Sequence, residues 1–205
     1  MIIPGVILAG GQSRRMGGGD KTLQKLRGRS LVSHVIARIE PQVAQLALNA
    51  NGPADRFAAY GLPILPDPVA GSAGPLAGVL AAMDWAKGLG AELVVTVAGD
   101  TPFLPGDLVP QLLLTAEGMA RPLVMASSLD TLGEPRLHPT CALWSVALRE
   151  TLQQDLGEGM RKVRTWAELQ GQRTVAFPSA LGDPFFNVNT PQDLDVAEAM
   201  IASAK

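Results

Sequence analysis

The stretch that most constrains the chain is VILAGGQSRRMGGGDK, residues Val6 to Lys21. Val6, Ile7 and Leu8 form an apolar run of the kind that makes a short strand covered on both faces. The chain then enters two adjacent glycines, a basic pair and three more glycines before Asp20 and Lys21. Glycines let a backbone take positive φ and present bare N–H groups to a ligand. Arg14, Arg15 and Lys21 add positive charge to those donors. A strand that opens into such a loop is suited to polyphosphate, and the basic residues argue against a plain flexible connection.

Strand-like and helix-like stretches alternate beyond the loop. Ser30 is placed to cap a helix carrying Leu31, Val32, Val35, Ile36 and Ile39 at helical spacing. A second strand is expected over Val43–Leu48, a short helix over Pro53–Tyr60 and a third strand over Leu62–Leu65. The pattern predicts a helix over Leu76–Lys87 and a strongly apolar strand over Leu93–Val97, followed by Gly99-Asp100-Thr101-Pro102. Further on come a helix near Asp107–Ala116, a strand over Leu123–Ala126, a turn or protruding hairpin over Ser127–Pro135, and a return over His138–Leu143. Helical segments are expected over Val146–Leu156 and Arg161–Leu169, and another strand over Thr174–Phe177. The last helix is expected after Thr190, with Pro191 first and Asp193 completing a cap. This alternation argues for a largely parallel α/β sheet. No linker divides the chain, so one domain over residues 1–205 is the expectation.

Composition supports a well-buried sheet: 47% of the 205 residues are hydrophobic and 18% charged. The formal net charge of −2 offers no general attraction to nucleic acid or an anionic membrane, so a polyanion needs a local basic site. Neither nucleic acid nor membrane is an expected partner. Cys141 is the only cysteine, which excludes an intrachain disulfide and a cysteine-based zinc site and is compatible with a reduced cytoplasmic location. The opening MIIPGVILAG has no basic n-region of a signal peptide, and no run reaches the roughly twenty apolar residues of a membrane span.

The glycine loop fits neither the P-loop spacing nor an in-frame G-x-G-x-x-G. It resembles the signature of pyrophosphorylase-type nucleotidyltransferases, L-A-G-G-x-S-x-R-M-G-x-D-K with one extra glycine, and RRMGGGDK is closest to the molybdenum cofactor guanylyltransferase family. AGDTPFLP around Asp100, Gly74-Pro75-Leu76-Ala77-Gly78, Gly159-Met160-Arg161-Lys162-Val163 and Phe186-Asn187-Val188-Asn189-Thr190-Pro191 also resemble that family's motifs, in the expected order. The resemblance implies a three-layer α/β/α, Rossmann-like nucleotidyltransferase fold with a mostly parallel central sheet. It implies GMP transfer from GTP to the phosphate of molybdenum-molybdopterin, with Mg²⁺ as cofactor and transient contacts with cofactor-biosynthesis and acceptor proteins.

The resemblance also implies roles for single residues. Leu8, Ala9, Gly10, Gly11, Lys21, Asn49, Asp67 and Asp100 are the expected nucleotide contacts. Arg15, Lys21 and Asp100 are expected to be catalytic, Asp100 also to hold the metal, and Arg14 can share the role of Arg15. Gly74, Pro75, Arg161, Lys162, Asn187 and Asn189 are expected at the acceptor. From the residues alone, simpler readings stand beside these: Asp100 as a loop cap, Asp67 as a turn between two prolines, Asn49 as a local backbone partner. The small residues of Gly74-Pro75-Leu76-Ala77-Gly78 can admit the ribose or pterin or equally permit close helix packing, and Arg161 and Lys162 can form a solvated helix face. His138, before a proline, reads as structural, as do His34, Cys141 and the three tryptophans. Related cytidylyltransferases show L-A-A-G where this chain has Leu8-Ala9-Gly10-Gly11, so Gly10 leans towards guanine. The competing functions are CMP transfer to molybdopterin, nucleotide transfer to a sugar phosphate, and a noncatalytic nucleotide-binding module.

Overall fold

A computed structural model of the chain describes residues 2–10, 20–69, 74–129, 133–179 and 182–203. Gly11, Arg14, Arg15 and positions 71–73 lie outside them. In chain order the elements are β1 (Pro4–Leu8), β2 (Lys25–Leu26), β3 (Arg29–Ser30), α1 (Leu31–Ile39), β4 (Gln45–Asn49), β5 (Ile64–Leu65), α2 (Pro75–Gly88), β6 (Leu93–Ala98) and α3 (Leu108–Thr115). They continue with β7 (Leu123–Leu129), β8 (Pro135–Ser145), α4 (Arg149–Gly157), α5 (Val163–Leu169), β9 (Arg173–Phe177) and α6 (Pro191–Ser203).

Among the described residues, seven strands form one sheet in the order β5-β4-β1-β6-β8-β7-β9, and β2 and β3 form a separate small hairpin. β8 alone runs against its neighbours in the large sheet. Strand alternation feeds both faces: Ile7, Leu48 and Val95 face one core with Val32, Val35 and Leu112, while Val6, Ala47 and Val94 face another with Leu80, Met83 and Trp166. Helices α1 and α3 cover the first face and α2, α4 and α5 the second, giving three layers. Ser30 caps α1 as expected, its hydroxyl accepting from Ser33 N at 3.2 Å.

The order has a functional consequence. From β1 the chain steps to β4 and β5 on one side, and from β6 it steps to β8, β7 and β9 on the other. β1 and β6 are adjacent, with Leu8 opposite Ala98, so the reversal of direction falls between them. Crevices at such switch points, beyond the strands' C-terminal ends, are where open α/β sheets bind ligands.

The sequence reading placed the second half of the sheet less well. β7 continues through Ser127 and Ser128 to Leu129, and β8 begins at Pro135, so the strands run into both ends of the stretch expected as a turn or protruding hairpin. Period-2 patterning is weak there because Ser127, Ser128 and His138 are polar yet buried. Their polar groups are satisfied in pairs: Ser127 donates to Val175 O and Ser128 bonds His138 Nε2. The segment at 161–169 also differs, since α5 starts at Val163 and leaves Arg161 and Lys162 in the preceding loop.

Candidate active site

The β1–β6 crevice is built from three backbone segments that meet. Gly99 N donates to Leu8 O at 3.0 Å, so the two strand ends stay in register past the ladder. Lys21 opens a short 3₁₀ turn to Leu23, anchored by buried Thr22, whose hydroxyl donates to Asp20 Oδ1 at 3.0 Å. The third segment is 186–189, tied down where Val188 N donates to Asp100 O at 3.0 Å. Val188 is fully buried against Leu26, Leu31 and Ala197, in a small core shared by the β2–β3 hairpin and α6. With Val188 turned inward, the flanking Asn187 and Asn189 turn the other way, as extended backbone requires.

Their amides meet Lys21. Its ammonium donates to Asp100 Oδ2, to Asn187 Oδ1 at 3.0 Å and to Asn189 Oδ1. The Lys21 and Asp100 side chains are 12% and 18% exposed, enough shielding to strengthen the pair while leaving it reachable by a ligand. Asp100 Oδ1, in contrast, is buried with no hydrogen-bond partner among the described residues. A carboxylate oxygen in that state is a candidate for a hard cation, and the neighbouring amide oxygens are of the same donor type. Residues from opposite ends of the sequence thus form one charged cluster.

Downstream, α6 begins as expected. Asp193 Oδ2 accepts from Asn189 N and Thr190 N at 2.8 Å each, while Thr190 Oγ1 accepts from Asp193 N at 3.2 Å. Those bonds to the charged form lower the Asp193 pKa although desolvation opposes them, and Lys21 acts in the same direction. The cap of α6 therefore also fixes the backbone of Asn189.

A second cluster lies at the ends of β4 and β5. Asn49 is inside β4 rather than beyond it, opposite Leu8, and its carbonyl accepts from Ala9 N at 2.8 Å. Asn49 Nδ2 donates to Leu65 O at 3.0 Å and to Asp67 Oδ1 at 2.9 Å. Asn51 completes the arrangement: Nδ2 donates to Asp67 Oδ2 at 2.7 Å and Oδ1 accepts from Asp67 N at 2.9 Å. Both Asp67 oxygens are held by neutral amide donors. Gly10 lies alongside, where a Cβ would sit 3.8 Å from Asn49 Oδ1. Gly78 of α2 packs against the same amide, so tightly that a Cβ there would overlap Asn49 Oδ1 and approach Leu8 Cδ2 to 2.9 Å. For Gly78, close helix packing is what the fold uses.

At the third corner, Gly74 is the residue before α2, and a Cβ there would sit 3.7 Å from Arg161 O. The start of α2 and the 160s loop are therefore neighbours, which brings Gly74 and Pro75 to Arg161 and Lys162. Arg161 Nη1 donates to Leu156 O and Met160 O, both at 2.7 Å, closing the turn after α4. Lys162 is exposed. His138 is buried, stacked on Phe185 at 4.3 Å between ring centroids, and structural as expected. Residues the sequence reading missed are Asn51, Asp20 and Arg56. Asp20 stands in the glycine-loop signature with no role read for it, Asn51 in an Asn-Gly turn and Arg56 as an ordinary charge, and only the three-dimensional contacts distinguish them.

Comparisons with known proteins identify the family. A family model described as a MobA-like NTP transferase domain matches residues 5–174. A molybdenum cofactor guanylyltransferase from Bradyrhizobium sp. (strain ORS 278) is 46% identical over 203 residues, covering 98% of this chain and 93% of that protein. One from Mesorhizobium japonicum is 47% identical over 206 residues, covering 98% of this chain and 97% of its own length. The crystal structure of molybdopterin-guanine dinucleotide biosynthesis protein A from Archaeoglobus fulgidus shares the fold, with a TM-score of 0.75 at 24% identity, covering 97% of this chain and 98% of that one. With the sheet, the switch-point crevice and these matches together, the chain belongs to the MobA-like NTP transferase family and is a nucleotidyltransferase.

Proposed function

We propose that the chain transfers GMP from GTP to the terminal phosphate of molybdenum-molybdopterin, releasing pyrophosphate. The observation that carries this reading is the layout of the crevice: a rigid carboxylate, Asp67, at one end and the Lys21–Asp100–Asn187–Asn189 cluster at the other. The first suits a base and the second a polyphosphate. The names of the relatives supply the acceptor.

Each Asp67 oxygen receives one amide donor and keeps acceptor capacity for another. A guanine offers N1–H and N2–H side by side, which a fixed carboxylate accepts as a pair. Cytosine offers acceptors on much of the same edge, and a carboxylate repels them. Gly10 leaves the space beside Asn49 free for the purine. At the other end, Lys21 holds the phosphates and neutralises charge on the leaving pyrophosphate, assisted by Arg15 of the glycine loop.

Among the described residues no three His, Cys, Asp or Glu side chains gather to hold a metal ion. Mg²⁺ at a nucleotide site needs no such cage, because one or two carboxylates suffice when substrate phosphates and water complete the shell. The unpartnered Asp100 Oδ1 fits that requirement, with Asn187 and Asn189 as amide donors beside it. Bound there, Mg²⁺ would neutralise charge at the α-phosphate and lower the repulsion between donor and acceptor. The acceptor phosphate is already an anion, so positioning and charge neutralisation, rather than proton removal, dominate the barrier. In this reading the acceptor docks against the start of α2 and the 160s loop, with Lys162 as the cation for its phosphate; the proximity of Gly74 to Arg161 O supports it. Arg161 is partly committed to carbonyls of its own turn.

The test is an NTP screen with molybdenum-molybdopterin, scored by the dinucleotide formed. GTP should give product and pyrophosphate only when the acceptor is present, with CTP much weaker. Turnover that prefers CTP, or a melting-point rise with GTP but no product with any acceptor, refutes the reading. Asp100→Ala should abolish metal-dependent turnover in a folded protein. Near-normal Mg²⁺-dependent rates in that variant would remove Asp100 from the metal.

A further inference from the structure

Between the two ends of the crevice runs a side chain that neither end explains. Arg56 lies in the 3₁₀ segment after β4, Ala54–Tyr60. Its Nη2 donates to Asn51 O and its Nη1 to Pro53 O at 3.1 Å. Its Nε forms an ion pair with Asp20 Oδ2 at 2.6 Å, and its Cζ sits 4.8 Å above the ring of buried Phe57. The Asn51-Gly52-Pro53 turn curls around the guanidinium. Gly52 takes φ 82°, and a Cβ there would press to 3.1 Å on Nη1. Arg56 and Asp20 are 27% and 11% exposed, so the pair is partly shielded from water.

Each neighbour of Arg56 leads to a different half of the site. Asn51, whose carbonyl Arg56 binds, holds Asp67 through both its own side-chain groups. Asp20, whose carboxylate Arg56 pairs, precedes Lys21 directly and is held from its other oxygen by Thr22. A continuous polar path therefore runs Asp67–Asn51–Arg56–Asp20 to the backbone of Lys21. We infer that Arg56 is a positioning residue that sets the distance between the base-reading carboxylate and the phosphate-holding lysine, so that one nucleotide engages both at once. The planar guanidinium suits this task, since Nη1 and Nη2 donate to two carbonyls while Nε, which makes no aligned hydrogen bond, holds the Asp20 carboxylate by charge at 2.6 Å. A lysine presents one point charge and cannot span all three.

The inference rests on the reading that GTP extends from Asp67 to Lys21. Two ends held in register gain affinity because the second contact becomes intramolecular, and that gain is lost when the spacing is not set. The experiment measures dissociation constants for GTP, GMP and pyrophosphate, with Mg²⁺, in the full chain and in Arg56→Gln, Arg56→Lys and Asp20→Asn. Thermal midpoints are recorded alongside. The wild type should bind GTP far more tightly than either half. In all three variants GTP affinity should fall about tenfold, while GMP and pyrophosphate each stay within about twofold. Combining Arg56→Gln with Asp20→Asn should add little to either change alone. Unchanged GTP affinity overturns the inference. A parallel loss for pyrophosphate alone makes Arg56 a direct phosphate ligand and also overturns it. Loss of both halves together with a lowered midpoint makes Arg56 a mere fold support, which overturns it equally. Should the wild type bind GTP no better than its halves, the underlying reading of the crevice fails first, and this inference with it.

Discussion

Gly78→Ala is a substitution whose sign must be decided by magnitude. In an exposed helix interior, Gly to Ala gains about 1 kcal/mol from propensity. Gly78 is buried in α2, and its missing Cβ is where Asn49 and Leu8 come closest: 2.9 Å to Leu8 Cδ2, 3.1 Å to Asn49 Cγ, and overlap with Asn49 Oδ1. Carbon atoms settle at ~3.5–4.0 Å, so the neighbours must retreat by roughly half an ångström or more. Leu8 can rotate; Asn49 cannot yield freely, because its amide donates to Leu65 O and Asp67 Oδ1. Overpacking costs about 1–3 kcal/mol, and each strained amide bond adds about 1 kcal/mol. The steric terms outweigh the propensity gain, for a net loss of about 2–4 kcal/mol, or about 4–16 °C in Tm for a chain of this size. Because the group displaced is the one that holds Asp67, GTP affinity should fall together with stability. Urea denaturation and GTP titration of the same preparation check both. A variant as stable as wild type with unchanged GTP affinity would refute the argument that α2 packs directly on the base-reading amide.

Lys21→Met leaves the oxygens of Asp100, Asn187 and Asn189 facing one another; the pair is not fully buried, so the cost in metal-free buffer should be about 2–3 kcal/mol, below that of a deeply buried pair. Added Mg²⁺ should restore part of it, and an unchanged midpoint without Mg²⁺ would contradict the clustering. Thr96→Val keeps the volume but strips buried Trp144 Nε1 of its acceptor at 2.8 Å and Thr140 O of its donor at 2.9 Å, so thermal melting should show a loss of about 2 kcal/mol. Burial lowers the His138 pKa from 6.5 to about 4, with Arg136 adding to the effect and Asp183 opposing it. The folded state then binds fewer protons than the unfolded chain between those values, so this contribution is complete above pH 6.5 and fades as the pH falls towards 4. Urea midpoints across that window should slope less in His138→Gln than in wild type.

How much of this could be read in advance differs from element to element. Apolar runs such as Val6–Leu8 and Leu93–Val97 announced their strands because burial on both faces leaves little room for polar residues. Ser30, Thr190 and Asp193 announced helix starts because capping is chemistry between residues three apart. The length of β7 and β8 was obscured because Ser127, Ser128 and His138 meet their partners across strands. The motif residues Lys21, Asp100, Asn187 and Asn189 were legible as candidates, but nothing in their spacing says that one ammonium joins all of them.

The sequence by itself determined the strand–loop–helix alternation, the polar residues at strand ends and the family signature, since each depends on neighbours within a few positions. Only the tertiary structure decided that β1 and β6 meet at the switch point, that Gly78 serves packing, and that Asn51, Asp20 and Arg56 join the two ends of the crevice. The reason is physical. Local patterns report backbone preference and burial, whereas contacts between Lys21 and Asn187, or Arg56 and Asp20, depend on where the packed layers carry distant segments.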